Sequence, residues 1–240
     1  MDKPELITVT FDTWDNYTRR MIRMVEHFTK PDDIRCWTIC DNHSPDASRL
    51  MQRTFKLPTV IVLGRENIRD LPRYNQLIEE SRTEFIIAIS TDVRLFQYDW
   101  VQRFLAPFQD RRVGMVGCPG PGKGMTPAHA DPAVGGKWNW VPKMLVDRNI
   151  PFDHCEHVQS HCFAVRRKAF MEAGGFWIPE QDLFNKWNLI AGEVSLGPRL
   201  RAHGWKLNYD PPAMHHYGNR SKSEEQLDLY DRTMNWEIAF

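Results

Sequence analysis

The stretch Phe85-Ile86-Ile87-Ala88-Ile89-Ser90-Thr91-Asp92-Val93-Arg94 decides the fold. An apolar, β-branched run of strand length stops abruptly on Ser-Thr-Asp. Such a run reads as a strand buried on both faces, the kind found in parallel sheets. Open α/β sheets bind ligands at the carboxyl ends of their strands, and Asp92 stands at that end. A carboxylate there can hold a hard cation, and the cation can hold a diphosphate. Equally, such an aspartate can simply terminate a strand or cap the next helix.

The segments before it repeat the pattern. Leu6–Phe11 is β-rich and breaks at Asp12–Asn16, which offers Asp15 or Asn16 as the N-cap of a helix over Tyr17–Phe28. Met21, Met24, Val25 and Phe28 share one face of that helix. A second strand, Cys36–Cys40, ends on the polar cluster Asp41–Asp46. A helix over Asp46–Thr54, a strand over Thr59–Leu63 and a helix over Leu71–Ser81 then lead to the opening stretch. Strands alternating with helices at this spacing give βαβ units and a parallel sheet, with the carboxyl ends along one edge. Acids at two of those ends point to a nucleotide site.

Beyond it, Trp100–Phe108 reads as an amphipathic helix and Val113–Cys118 as a strand. Pro119–Pro142 is rich in glycine and proline and carries Trp138 and Trp140. Long loops of this texture tend to be functional. The two tryptophans can stack on a sugar face or pack beneath the loop. Val158–Val165 reads as a strand, with a helix opening at Arg166 that Gly174-Gly175-Phe176 ends. A helix over Glu193–His203 is expected to start late or kink, because Gly197-Pro198 falls inside it. Trp205–Tyr209 reads as a strand and Glu224–Trp236 as a terminal helix.

Composition bounds the partners. The chain has 240 residues, 42% hydrophobic and 26% charged, with 31 basic residues balancing 31 acidic ones. That is a globular composition with no whole-chain field to gather nucleic acid, so no such partner is expected. No apolar run reaches the roughly 20 residues of a membrane span. The polar start shows no export signal, and the cysteines (Cys36, Cys40, Cys118, Cys155, Cys162) are odd in number, so reduced thiols in the cytoplasm are expected. His154, Cys155, His157, His161 and Cys162 lie close together but fit no familiar zinc spacing.

Taken in order, these segments resemble the inverting family-2 glycosyltransferases of the GT-A fold, over about Leu6–Ser221. Cys40–Asp46 is similar to the acidic turn whose aspartate contacts the nucleotide base. Asn67 and Asn75, eight apart, resemble the two asparagines before the metal-site strand. Ser90-Thr91-Asp92 occupies the place of the DxD motif, with Ser90 replacing its first acid. Arg166-Arg167 through Gly175 and Phe176 resembles the "RR…GGF" stretch bordering the acceptor. Glu193 to Gly204 resembles the "ED…RL…G" helix that carries the catalytic base. His216-Tyr217-Gly218 resembles the C-terminal histidine of the metal site. Arg69 departs from the glycine usual after the first asparagine.

The resemblance implies a single 1–240 domain, an α/β three-layer GT-A sandwich with a mostly parallel sheet. Residues 1–118 would form a Rossmann-like nucleotide-sugar-binding half, and residues 119–240 the acceptor-binding and catalytic half. It implies a nucleotide-sugar-dependent, hexosyltransferase-like enzyme that inverts at the anomeric carbon with Glu193 as general base. Mn²⁺ or Mg²⁺ would sit at Asp92 with His216 or His215. The donor, a UDP- or dTDP-sugar in preference to a guanine nucleotide by the ring N–H that Asp41 would accept, would also meet Thr10, Phe11, Asn67, Asn75, Thr91, Arg220 and Lys222. A glycan or other hydroxyl acceptor would meet Trp138, Trp140, His161, Gly175 and Phe176. The alternatives are an inert relative that binds a sugar nucleotide or glycan, and a nucleotidyltransferase. Against the last stands the absence of glycine from Thr10–Asn16.

Overall fold

The structure, a computed structural model, describes residues 2–119, 148–151, 157–178 and 186–216. The first half follows the expected alternation: β1 (Glu5–Thr10), α1 (Arg19–Phe28), β2 (Cys36–Asp41), α2 (Ser48–Met51), β3 (Thr59–Leu63), α3 (Asp70–Glu80) and β4 (Phe85–Ile89). Then come β5 (Val93–Leu95), α4 (Trp100–Leu105), β6 (Val113–Pro119), β7 (Val158–Arg166), α5 (Arg167–Glu172), α6 (Lys186–Ala202), β8 (Lys206–Asn208) and β9 (Met214–His216).

Seven strands form one sheet in the order β3-β2-β1-β4-β7-β6-β8. The pairs β3·β2, β2·β1 and β1·β4 are all parallel, so the carboxyl ends of the first four strands do share an edge. β7 runs antiparallel to both β4 and β6 and makes the sheet mixed. β5 and β9 form a separate antiparallel pair, Val93 opposite His216.

Every residue of β4 is buried, as its unbroken apolar pattern requires. Alternate side chains serve opposite layers. Phe85, Ile87 and Ile89 join Met21 and Val25 of α1 and Trp100 and Phe104 of α4. Ile86 and Ala88 join Leu71 and Tyr74 of α3, Phe170 of α5 and Leu200 of α6. This is the three-layer arrangement expected, and each large apolar side chain so buried stabilises it by roughly 1.5–3 kcal/mol.

Three local expectations are corrected, and one strand was not foreseen. The first helix does not start on a capped Tyr17: a π-helical turn, Trp14–Thr18, precedes α1, with no side-chain cap. The helix after β2 spans only Ser48–Met51 rather than Asp46–Thr54. β5 is a strand that the sequence does not announce, being three residues long. α6 starts at Lys186, not Glu193, and runs through Pro198. Proline removes a donor there, and side chains serve carbonyls in the same stretch: Arg199 Nε donates to Ser195 O (3.1 Å) and Ser195 Oγ to Gly192 O (3.2 Å). The terminal helix, Trp138, Trp140, Arg220 and Lys222 lie outside the described residues.

The arginine pair read from the motif secures the fold. Arg166 is ion-paired with Glu84, donates to Phe108 O (3.1 Å) and lies over the Phe85 ring. Arg167 donates to the carbonyls of Ile78 (3.1 Å) and Glu79 (2.6 Å), capping the C-terminal end of α3.

Candidate active site

Two regions face the carboxyl edge of the sheet. The first is the acidic turn after β2. Asp41 is 2% exposed, and both its oxygens have partners: the Ser44 N–H donates to Oδ1 (2.7 Å) and the Thr10 hydroxyl to Oδ2 (3.1 Å). A carboxylate has about four lone-pair positions, so it can still accept from a ligand N–H. Thr10, Trp14, Asp41, Ser44 and Asp46 are among the residues lining a small pocket that is partly open to solvent. Phe11, 42% exposed, directly follows β1.

Asn42 ties this turn to the segment before α3. Its Nδ2 donates to Asn67 Oδ1 (2.8 Å), and its own Oδ1 accepts from Arg73 Nε (3.1 Å) and NH2 (2.9 Å). Asn67 Oδ1 accepts a further bond from the Arg69 N–H (2.9 Å). Arg69 itself has φ 71° and ψ 175°, a conformation that favours glycine. The backbone shape of the expected glycine is therefore kept although the residue is not.

Asn75 reaches elsewhere. Its Nδ2 donates to Phe176 O (2.8 Å) and its Oδ1 accepts from the Phe176 N–H (2.8 Å), a clasp across 101 residues. Gly175 has φ 66°, and a Cβ there would come within 2.8 Å of Asn75 Oδ1, so only glycine suits this turn. From the other side Arg199 of α6 donates to Ala173 O (2.7 Å) and Gly175 O (2.6 Å). The glycine turn is thus clamped between α3 and α6.

The second region gathers around Asp92. Ile89 pairs with Cys162, so Ser90 meets His161, and the Ser90 N–H donates to His161 O (2.8 Å). The β5·β9 pair brings His216 back to Asp92, Nε2 to Oδ2 at 3.1 Å across 124 residues. The His161 and His216 rings stack with centroids 4.2 Å apart and planes within 5°. Thr91 is buried, and Arg94 beneath it donates to the carbonyls of Thr91 (3.3 Å) and Val93 (3.0 Å). His215 stands opposite Arg94 in the register.

Charge at this centre is set by burial and by neighbours. Burial works to raise the Asp92 carboxyl, but the hydrogen bond and charge of His216, helped by His161, outweigh it and hold Asp92 below its ordinary value. Burial, with His216 adding to it, pushes His161 down to about 4, against the opposing pull of Asp92. Burial also raises Asp70, at the start of α3, and the charge of Asp92 adds to the shift.

Glu193 completes the region from α6. Gly192 lets that helix close on α3: a Cβ there would meet Leu71 Cδ1 at 2.8 Å. Ser160 of β7 donates its backbone N–H (3.0 Å) and its hydroxyl to Glu193 Oε1. Burial nevertheless raises the Glu193 carboxyl, Ser160 opposes that shift, and the charge of Asp70 adds to it while His216 lowers it.

Asp70 and Ser160 are the two site residues that the motifs do not name. An acid opening a helix beside the site was a usable signal for Asp70. Ser160 had none, because its partner lies 33 residues away.

Among the described residues no group of three or more His, Cys, Asp or Glu is placed to hold a metal ion. Asp92 and His216 do fit a cation that draws its remaining ligands from phosphate and water, the habit of Mg²⁺ and Mn²⁺ at diphosphate sites. The carboxyls of Asp70 and Asp92 also disfavour one another's charge, which a cation would relieve. No helix among the described residues is long and apolar enough to cross a membrane.

No protein-family model and no curated protein matches the sequence. Among solved structures, the fold is similar to that of the mannosyltransferase PcManGT from Pyrobaculum calidifontis, solved in complex with GDP-Man and Mn²⁺. The TM-score is 0.56 at 13% identity, over 88% of this chain. The chain spans 55% of the length of that protein. The likeness is one of fold, and the mixed, helix-flanked sheet is consistent with the GT-A-like three-layer sandwich expected.

Proposed function

We propose that this chain is an inverting glycosyltransferase that moves a sugar from a nucleoside-diphosphate sugar to an acceptor hydroxyl. The observation that carries this reading is Glu193. Its carboxyl is raised by burial, in the direction a general base requires; it is held by Ser160 of β7, and the charges of Asp70 and His216 both act on it.

Residues 1–118 hold the donor. Asp41 accepts a ring N–H of the nucleobase, which suits uracil, thymine or guanine and disfavours adenine and cytosine. Thr10 lines the same pocket, and Phe11 is the exposed residue that follows it in the chain. Residues 119–240 hold the acceptor, with His161 on its boundary; the turn at Gly175 and Phe176 supports it from within the fold, since Phe176 packs in the core on Phe163 and Phe170. Glu193 removes the acceptor's proton as the acceptor oxygen bonds to the anomeric carbon and the bond to the diphosphate oxygen breaks. Asp92 and His216 would hold Mn²⁺ or Mg²⁺, which when bound neutralises charge on the departing diphosphate. His161, kept neutral by its burial, stacks on His216 and fixes the plane of that ring.

Release of nucleoside diphosphate from UDP-, dTDP- and GDP-sugars, with and without Mn²⁺, tests the reading. Turnover of at least one donor, raised by the metal, is expected. Neither binding nor turnover of any of them would overturn it.

A further inference from the structure

Ser160 lies on β7, 9% exposed, and meets the Glu193 carboxylate with two donors. Its N–H (3.0 Å) and its hydroxyl both end on Oε1. Among the described residues Oε2 accepts no hydrogen bond. A carboxylate held at one oxygen by two donors loses its freedom to rotate and presents the other oxygen in a fixed direction.

We infer that Ser160 is the positioning residue of the base: it anchors Oε1 so that Oε2 is the atom that takes the acceptor's proton. This rests on the assignment of Glu193 as base. On transfer, the proton moves from the acceptor hydroxyl to Oε2. The oxygen's electron pair forms the new glycosidic bond, and the pair of the broken bond leaves with the diphosphate.

The strand explains why the anchor is firm. β7 is paired on both sides near this point, Ile89 opposite Cys162 and Pro119 opposite Val158. The next residue, His161, ties its carbonyl to Ser90 and stacks its ring on His216. One dipeptide therefore sets the base on one side and the Asp92–His216 pair on the other. Two other charged groups act on the Glu193 carboxyl: Asp70 of α3 opposes its ionisation, and His216 of β9 favours it. Ser160 supplies the uncharged donors that keep the anion accessible in a buried place.

The test compares Ser160→Ala, which loses the hydroxyl but keeps the N–H, with Ser160→Thr, which keeps both. The first readout is the titration of the Glu193 side-chain carboxyl by ¹³C NMR, assigned with Glu193→Gln. In Ser160→Ala the midpoint should move up, and in Ser160→Thr it should return toward wild type. The second is turnover of GDP-mannose or UDP-glucose with Mn²⁺. Ser160→Ala should lose about ten- to hundredfold in kcat, the worth of one hydrogen bond to a charged group, with KM within about twofold. An unmoved midpoint, or a wild-type kcat in Ser160→Ala while Glu193→Gln is inactive, overturns the positioning role alone. Wild-type turnover by Glu193→Gln overturns the base assignment, and the inference with it.

Discussion

The acidic turn at Asp41 and the centre at Asp92 lie on one sheet edge, yet they are built in opposite ways. Asp41 is served by its own neighbourhood: a backbone N–H three residues on and a hydroxyl on the adjacent strand satisfy both its oxygens. Asp92, His161, Glu193 and His216 come from four separate segments, and their electrostatics are contested. Burial presses Glu193 and Asp70 toward the neutral acid and His161 toward the neutral imidazole. A preformed pocket suits recognition, which needs the same geometry in every encounter. A centre of mutually disfavoured charges suits chemistry, because a cation or a proton transfer relieves it. The division of labour proposed for the two regions rests on that difference.

The sharpest way to break the comparison is at Glu193. Glu193→Gln should lower transfer by about a hundred- to ten-thousandfold, the range of general-base catalysis, while leaving donor affinity unchanged. Equal loss of donor binding, measured by calorimetry, would show that the two regions are not separable.

Next in size is the clasp that ties α3 to the glycine turn. Asn75→Ala should destabilise the fold by about 3 kcal/mol, since the N–H and C=O of Phe176 both lose a partner where water cannot fully replace it. Chemical denaturation measures this. A change under about 1 kcal/mol would show that Arg199 alone holds the glycine turn.

How much of this was legible in the sequence follows from the same contrast. β4, its burial on both faces and the carboxylate at its end could be read directly, because a run such as Phe85–Ile89 has few other uses. The parallel order of the first four strands followed from their alternation with helices. The centre at Asp92 was legible only in its parts. Its assembly depends on β5 pairing with β9, and neither three-residue strand has enough pattern to declare itself. Asn75, Arg166 and Arg167 show the converse. A motif supplies residue types at a spacing but not their partners, and here an amide and two guanidinium groups are committed to distant carbonyls or to Glu84. Ser160 and Asp70 were reached only through the folded chain.

The third prediction concerns pH. His161 is held at about 4 in the fold against an ordinary value of 6.5. The unfolded chain therefore binds a proton between those values that the folded chain does not. Stability is complete above about 6.5 and falls as the pH drops toward 4, by roughly 3 kcal/mol in all. Asp92, held below its ordinary value, adds a loss that begins lower still, as the pH falls through its depressed pKa. His161→Asn should flatten the first of these slopes and reduce the second only slightly, because His216 does most to hold Asp92 down. Denaturation midpoints at a series of pH values would separate them, and an unchanged slope between 6.5 and 4 would remove His161 from the account.

The smallest expected effect lies at Arg69, on the border between the two regions. A side chain at φ 71°, ψ 175° costs about 1–3 kcal/mol relative to a relaxed backbone. Arg69→Gly relieves that cost but loosens the unfolded chain, which takes back about 0.5–1 kcal/mol. It also removes a positive charge that helps to keep Asp70 ionised, so the Asp70 carboxyl should move further up. A net gain of about 1 kcal/mol in stability is expected, with Asp70 easier to protonate. If the variant is instead less stable than the wild type, the contacts of the arginine outweigh the strain it bears. The Asp92 centre would then draw part of its order from the recognition side, and the contrast between a self-sufficient pocket and a contested centre would narrow at this residue.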